Sequence, residues 1–324
     1  MANIRLLALC VIWLVLSGLS YAEEIKIGVR TDVRPFSYCK PTETEASCAQ
    51  DLDAYDGYSI SICKSVLDDM RLRDPGLTFK VVSVTAGDRF RKLLNNDVDF
   101  LCGADTITDE RLNEYAFSLP IYVTGISIAS RRQETGNRGC DAPGTSPTAV
   151  VGMVGNTTAE SYGIDLMLQA GEFGQFDDLV KQAMGKSSDG KVKCLRKNGD
   201  KFVDIIKTYD DHDQGLRAFC AGDVKYYIAD REILLFSKQC DDISLSDRTY
   251  SYDTYAFVFR KPSNTHLSDY KLFSEMNYSL QRLSWGTKSI FLEGALGKMN
   301  SYRLSPELQQ FYRSVTGMAV PNSP

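Results

Sequence analysis

The chain is poor in the residues that build metal sites and nucleic-acid interfaces. It has only two histidines in 324 residues, His212 and His266, which lie far apart, and it has no Cys-x-x-Cys pair. Because metal sites in proteins need clustered ligands, we predict neither a metal nor any other cofactor. The net charge is −5, so the basic excess that nucleic acids require is also absent, and no nucleic-acid partner is expected.

Beyond its N-terminus the sequence has no apolar run that could cross a bilayer. The one long run, Leu6 to Leu19, follows Arg5 and is shorter than the roughly 20 residues that a membrane span needs. Small residues at Ser20 and Ala22 suit a signal peptidase, so residues 1–22 are predicted to be a cleaved secretory signal. A retained membrane anchor is the alternative interpretation.

Eight cysteines remain once the predicted signal is removed. An even number of cysteines in an exported chain favours disulfide bonds, although the sequence alone leaves their connectivity open. Pairing of sequence neighbours is the preferred hypothesis, and it gives Cys39–Cys48, Cys63–Cys102, Cys140–Cys194 and Cys220–Cys240.

Apolar periodicity predicts strands that alternate with helices. The predicted strands are Ile25–Val29, Phe79–Val84, Val98–Cys102 and Thr148–Val154. The predicted helices are Ser59–Met70, Arg89–Asn95 with Leu93 and Leu94 facing inward, Leu267–Leu283, and a last helix with Ser305 as its cap and Pro306 at its first position. Alternation of this kind indicates an α/β fold that binds ligands at the carboxyl ends of parallel strands.

About 300 mature residues exceed what one hydrophobic core usually serves, so we expect two lobes. A weak internal repeat supports this, since residues 94–105 and 220–230 each read as a helix end, a tight turn and a buried strand. The first lobe is predicted to contain residues 23–125 and the returning residues 253–324, and the second lobe residues 126–252. Residues 171–201 read as a glycine- and lysine-rich insertion on the surface.

Three segments at or after predicted strands carry most of the charged candidate residues: GVRTDVRPFSY at Gly28–Tyr38, GADTITDERLNEYAFSLP at Gly103–Pro120, and DDHDQGL at Asp210–Leu216. In these motifs the protein resembles the periplasmic amino-acid-binding proteins of ATP-driven importers, solute-binding family 3, and within it the glutamate/aspartate binders. The resemblance extends over nearly the whole mature chain. The resemblance implies a two-lobe type II periplasmic-binding-protein fold, in which helices flank a mainly parallel sheet in each lobe and two strands form the hinge. It also implies an amino-acid ligand, a membrane permease as partner, a periplasmic location and a monomer.

A free amino acid always presents a carboxylate and an ammonium group, so its receptor needs one fixed bidentate cation and one fixed anion. The resemblance assigns the carboxylate to Arg111 with help from Thr106, and the ammonium to Asp230. It places further carboxylate contacts at Thr157 and Thr158, where a helix begins. A solvated surface charge for Arg111 and simple helix caps for the other positions are the alternatives.

Side-chain selectivity is assigned to Arg30, Arg89 and His212, because the glutamate/aspartate binders resemble this chain at these positions. Three arginines counted against Asp230 give a net-positive pocket, which favours a ligand with a second negative charge. Arg89 could instead be a surface charge, and His212 could be a helix cap or a packing residue. The chain departs from the relatives in two respects. Ala86 and Ala104 stand in place of hydroxyl residues, and the segment between residues 160 and 212 is longer.

Two other functional classes are weaker interpretations. A dehydratase of the same fold would need a general acid or base, and Arg30 together with intact amino-acid anchors speaks against it, so no enzymatic activity is expected. A receptor sensor domain would need a following membrane span, which we do not expect.

Overall fold

The computed structural model describes residues 24–131, 149–186, 191–194, 201–236, 240, 243–261, 267–286, 288–292, 294 and 305–317. Within these ranges, no helix combines the length and the apolar character that a membrane crossing requires. The strands are β1 Glu24–Arg30, β2 Asp32–Val33, β3 Ser37–Cys39, β4 Tyr55–Asp56, β5 Thr78–Val84, β6 Phe100–Thr106, β7 Tyr115–Phe117, β8 Tyr122–Thr124, β9 Ile126–Arg131, β10 Ala149–Val154, β11 Lys191–Cys194, β12 Lys201–Asp204, β13 Ile206–Tyr209, β14 Val224–Asp230, β15 Ile243–Leu245 and β16 Asp253–Arg260.

The α-helices are α1 Glu45–Cys48, α2 Tyr58–Arg73, α3 Arg89–Leu94, α4 Asp109–Leu112, α5 Ile164–Ala170, α6 Asp177–Lys186, α7 His212–Ala221, α8 Arg231–Phe236, α9 Leu267–Ser284 and α10 Pro306–Thr316. A π-turn, Ala159–Gly163, leads into α5, and short 3-10 turns lie at Leu52–Ala54 and Gly174–Phe176. The cap predicted for the last helix is present, because the Ser305 side chain accepts a hydrogen bond from the Leu308 amide at 3.2 Å.

Two sheets form the centres of two lobes, as the predicted α/β fold class requires. The first has the order β5-β1-β6-β16-β7 with β8 also paired to β16, and the second has the order β13-β10-β14-β9-β15. Parallel pairs surround β1 and β10, whereas β9 and β16 are antiparallel to their neighbours. Both sheets are therefore mixed rather than mainly parallel, because a strand that arrives from the other lobe enters each sheet in the opposite direction.

The two chain crossings between the lobes touch each other. The first runs from β8 through Gly125 into β9, and the second leads into β16. The Ile126 amide donates to the Ser251 hydroxyl at 2.8 Å, and a methyl group added at Gly125 would overlap the Ser251 carbonyl oxygen. Close contact between the crossings thus depends on the missing side chain of Gly125.

The first-lobe core reaches the predicted ligand side through a group of aromatic rings. Phe36 packs edge-to-face on Tyr122 and Tyr255, with ring centroids 4.8 and 5.0 Å apart, and all three side chains are fully buried. Edge-to-face contacts fix ring orientation as well as position. Tyr255, on β16, is thereby held rigidly with its hydroxyl directed toward the second lobe.

The predicted surface insertion at residues 171–201 is wrong for its first half. Phe173, Val180 and Ala183 are fully buried and belong to the core of the second lobe. Val180 and Ala183 lie three residues apart on α6, so they share one face of the helix, and that face packs inward. The high glycine and lysine content of the whole segment hid this short apolar pattern.

Two smaller expectations about helix ends have different outcomes. Leu94 is 49% exposed although Leu93 is fully buried, so the prediction that both face inward is wrong. Successive helical residues point about 100° apart, and in this short helix that rotation places Leu94 on the side that faces solvent. The predicted repeat is present, because Asn96 and Gly222 end their helices with φ angles of 61° and 83° before a buried strand begins.

Three predicted disulfides are confirmed. The bonded pairs are Cys39–Cys48, Cys63–Cys102 and Cys220–Cys240, with Cα atoms 5.9, 6.2 and 5.5 Å apart. For the fourth predicted pair, Cys140 lies outside the described residues. Cys63–Cys102 joins α2 to β6, the strand that ends in the candidate site.

Candidate functional site

All eight predicted site residues line one cavity. Its empty volume is about 390 Å³ when solvent space at its mouth is included. The first lobe contributes Arg30, Arg89, Thr106 and Arg111, and the second contributes Thr157, Thr158, His212 and Asp230. Arg30, Thr106 and Asp230 are the last residues of β1, β6 and β14, so the cavity lies at the carboxyl ends of strands from both sheets.

Arg111 is a fixed cation for which the described part of the chain offers no partner anion. The hydroxyl of Thr108 accepts from the Arg111 amide at 3.2 Å and starts α4, and Nη1 of Arg111 donates to the Thr106 carbonyl at 2.8 Å. The guanidinium group also lies 4.9 Å from the centroid of the Phe90 ring. Among the described residues no carboxylate pairs with Arg111, so its remaining N–H groups are available to a ligand.

Asp230 has one oxygen engaged and one open. Oδ2 accepts a hydrogen bond from the Tyr255 hydroxyl, whereas Oδ1 is buried and has no partner among the described residues. Burial and the nearby charge of Asp253 raise the pKa of Asp230 to about 7. The carboxylate contacts Tyr255 rather than the start of α8, so the structure does not favour a simple helix cap.

Arg30 is already paired. Its Nε and Nη2 donate to the two oxygens of Asp32 at 2.9 and 2.6 Å, and both side chains are buried. Asp32 Oδ2 also accepts from the amide of His212 at 3.0 Å, which links the first lobe to the start of α7. Burial is the largest influence and by itself would raise the pKa of Asp32, but the charge of Arg30, the nearby His212 and the hydrogen bonds from both residues together outweigh it, and the pKa falls to about 2.

Arg89 is paired in the same way. Its Nε donates to Asp105 Oδ1 at 2.7 Å, Nη1 donates to the Ala86 carbonyl, and Nη2 reaches the Asn156 carbonyl of the second lobe at 3.1 Å. The side chain is 3% exposed and stacks on Phe90 at 4.3 Å. The surface-charge alternative for this arginine is therefore wrong.

The predicted net-positive pocket counts only the charged residues that line the cavity. Asp32 and Asp105 lie behind Arg30 and Arg89 and balance their charges. Burial lowers the pKa of His212 to about 4, so at neutral pH the imidazole adds no charge. The physical reason is that buried cations are stable only when they are paired, and a count of cavity-lining residues overlooks the partners behind them.

The remaining second-lobe candidates are held by local bonds. The Thr157 hydroxyl donates to the Val154 carbonyl at 2.7 Å, and Thr158 is 5% exposed just before the π-turn. His212 Nδ1 lies 3.3 Å from the Tyr227 hydroxyl. His212 therefore serves as a packing residue and lines the cavity as well.

The cavity includes residues that sequence reasoning did not select. They are Val33, Ala104, Ala159, Ala229, Ile233 and Tyr255. Ala104, one of the two departures noted from the relatives, lines the cavity directly. Tyr255 lies in the segment predicted to return to the first lobe, but nothing in the local pattern indicates that its hydroxyl meets Asp230.

Comparison with known proteins gives a family match and distant relatives. The model of the bacterial extracellular solute-binding proteins, family 3, matches residues 25–285. The chain is similar to the glutamate/aspartate import solute-binding protein of Salmonella typhimurium, with 31% identity over 134 residues, or 41% of each chain. It is similar to the ABC transporter glutamine-binding protein GlnH of Bacillus subtilis, with 29% identity over 117 residues, or 36% of this chain and 39% of that one. These matches span about two fifths of the relatives' length.

A solved structure shows the same fold. A mutant of ArgBP from T. maritima matches with a TM-score of 0.58 over 85% of this chain and 95% of that chain, at 16% sequence identity.

Proposed function

The chain belongs to the bacterial extracellular solute-binding proteins, family 3, and we propose that it binds one L-amino acid with an acidic side chain, glutamate or aspartate. In this proposal the protein is exported to the periplasm, closes its lobes around the ligand, and presents the closed form to the membrane permease of an ATP-driven importer. It acts as a monomer and catalyses no reaction.

One observation carries the amino-acid part of the proposal. Arg111 offers a guanidinium group without an ion-pair partner in the described residues, and Asp230 offers a buried carboxylate oxygen without one. Both line the same cavity. An α-carboxylate and an α-ammonium group supply the two missing partners, and charge-assisted hydrogen bonds of this kind are the stronger ones in proteins.

The charged groups that line the cavity support the proposal of a ligand with an acidic side chain. Arg30 and Arg89 line it, whereas their carboxylate partners, Asp32 and Asp105, do not. The positive ends of two ion pairs therefore face the ligand. Each pair as a whole is neutral, however, and this favours an amide such as glutamine as the second candidate.

The affinity that transport needs is within reach of such a site. Micromolar binding corresponds to about 8 kcal/mol, and about ten ligand heavy atoms can supply that within a ceiling of roughly 1.5 kcal/mol per atom. Binding alone thus explains the arrangement, and no group needs a catalytic role.

The identity of the ligand can be tested directly. Protein purified without added amino acid should release glutamate or aspartate on denaturation, as identified by mass spectrometry. Titration calorimetry of stripped protein should then rank glutamate and aspartate above glutamine, and glutamine above arginine. Preference for arginine or lysine would contradict the acidic ligand, and turnover of a bound compound would contradict the binding role.

A further inference from the structure

Asp32 is a buried carboxylate, and binding of a ligand's α-carboxylate and α-ammonium groups does not explain its presence beside the cavity. It is 7% exposed, holds Arg30 through two hydrogen bonds of 2.9 and 2.6 Å, and accepts the His212 amide at 3.0 Å. Although burial opposes ionisation, the charge of Arg30 together with His212 and the hydrogen bonds from both residues brings the pKa of Asp32 to about 2, so Asp32 is ionised at neutral pH. It stands behind Arg30 and does not line the cavity itself.

We propose that Asp32 sets the side-chain selectivity of the site by matching the charge of Arg30 before a ligand arrives. The inference rests on the proposed function, because it requires an amino-acid side chain to meet Arg30. Asp32 thereby reduces the preference for a ligand with an acidic side chain over one with an amide side chain, so that the site binds both glutamate and glutamine. Asp32 is a positioning residue in this role, since it acts through Arg30.

The size of the effect follows from two distances. With an effective dielectric of about 20, an unmatched guanidinium group about 5 Å from the ligand's second carboxylate strengthens binding more than a hundredfold. A carboxylate behind it, about 8 Å from the same ligand group, opposes this by about thirtyfold. The wild-type protein should therefore prefer glutamate to glutamine by only about tenfold.

Asp32→Asn is the informative substitution because it keeps the shape of the side chain. An amide oxygen in the place of Oδ2 can still accept from the His212 amide and from Arg30 Nη2. The amide nitrogen, which now faces Arg30 Nε, cannot accept a hydrogen bond. The guanidinium group then carries an unmatched charge, which favours a ligand carboxylate.

The experiment is titration calorimetry with L-glutamate and L-glutamine on wild-type protein and on Asp32→Asn. The ratio of the two association constants should rise at least tenfold in the variant. Asp68→Asn is the matched control, because Asp68 also lies beside an arginine, Arg71, but on an exposed helix face with 72% of its side chain exposed. The control should leave the ratio unchanged.

A charge-neutral double variant keeps the test decisive if Asp32→Asn does not fold. Replacing both partners, Arg30→Gln with Asp32→Asn, removes a pair that is already balanced. The glutamate-to-glutamine ratio should then fall only about tenfold, which is the net contribution of the pair. A fall of about a hundredfold or more shows that Arg30 acts at its full unmatched strength despite Asp32, and overturns the inference.

The outcomes separate this inference from the function on which it rests. If wild-type protein binds neither amino acid, nor any other in a panel, the proposed function and the inference are both wrong. If it binds them but Asp32→Asn folds and leaves the ratio unchanged, only the role of Asp32 is wrong.

Discussion

Ligand affinity should rise with pH between about pH 6 and pH 8, because only the ionised form of Asp230 attracts an ammonium group. Burial and the nearby charge of Asp253 raise the pKa of Asp230 from 3.8 to about 7, and burial also raises the pKa of Asp253, so near neutral pH the ligand-free protein holds a proton on this pair of carboxyl groups about half of the time. Apparent affinity scales with the fraction of protein in the binding-competent form. The association constant should therefore be about tenfold lower at pH 6 than at pH 8, and about twofold lower at pH 7.

The groups around Asp230 make the prediction specific. His212 and Asp32 have pKa values of about 4 and about 2, so both lie outside this pH window. Asp253→Asn removes a charge that raises the pKa of Asp230, and the pH dependence should move to lower pH. Tyr255→Phe removes the hydroxyl that stabilises the ionised carboxylate, and the dependence should move to higher pH.

Titration calorimetry with glutamate at pH 6, 7 and 8 measures both the affinity and the protons released. When the titration is repeated in buffers of different ionisation enthalpy, the change in binding enthalpy gives the number of protons released. We expect about half a proton released per ligand bound at pH 7. The reasoning is refuted if affinity is constant across this range in wild-type protein, or if the Asp253 and Tyr255 variants shift the dependence in the same direction.

The same carboxyl group affects the stability of the ligand-free protein with the opposite sign. Its folded-state pKa is about 7 and its unfolded value is 3.8, so the folded state binds the proton more tightly. The stabilisation is complete below about pH 4 and is lost as pH rises through about 7, which amounts to about 4 kcal/mol at most. Ligand-free protein should therefore unfold at lower denaturant concentration at pH 8 than at pH 5, and Asp230→Asn should weaken this dependence.

Three further changes have defined outcomes. Arg111→Ala should abolish measurable amino-acid binding, a loss of about 2–5 kcal/mol in binding free energy, whereas replacement of the exposed Arg91 in the same lobe should not. Unchanged calorimetric affinity in the Arg111 variant would remove Arg111 from the site. Thiol titration of denatured mature protein should find no free cysteine, and reduction should lower stability by about 2–4 kcal/mol per bridge; several reactive thiols would contradict the pairing. Gly125→Ala should cost about 1–3 kcal/mol in chemical denaturation because the methyl group meets Ser251, while Gly76→Ala, which meets only an ordinary contact, should not.

Much of the fold could be read from the sequence because its signals are local. The 3.6-residue spacing of Ile60, Cys63 and Met70 marks a helix with a buried face, and Ser305 before a proline marks the start of the last helix. A mixed glycine- and lysine-rich segment concealed α6, because composition over 31 residues averages out an apolar face that occupies one helix.

The candidate residues were selected because their motifs resemble those of the family, and Arg30, Thr106 and Asp230 also follow apolar runs that end at the carboxyl edge of a sheet. The ion-pair partner of Arg30 could also be found from the sequence. Arg30 and Asp32 have opposite charges and lie only two residues apart, and that closeness was a usable signal for their ion pair.

Tertiary structure alone decided the charge of the cavity. Arg89 and Asp105 are separated by 16 residues, and Tyr255 reaches Asp230 from a strand that returns from the other lobe. Coulomb energies and desolvation depend on distances and burial, and neither is encoded in the spacing of residues along the chain. The sequence by itself determined which charged groups line the cavity, while the packing of the two lobes determined which of them are already neutralised and which still need a partner.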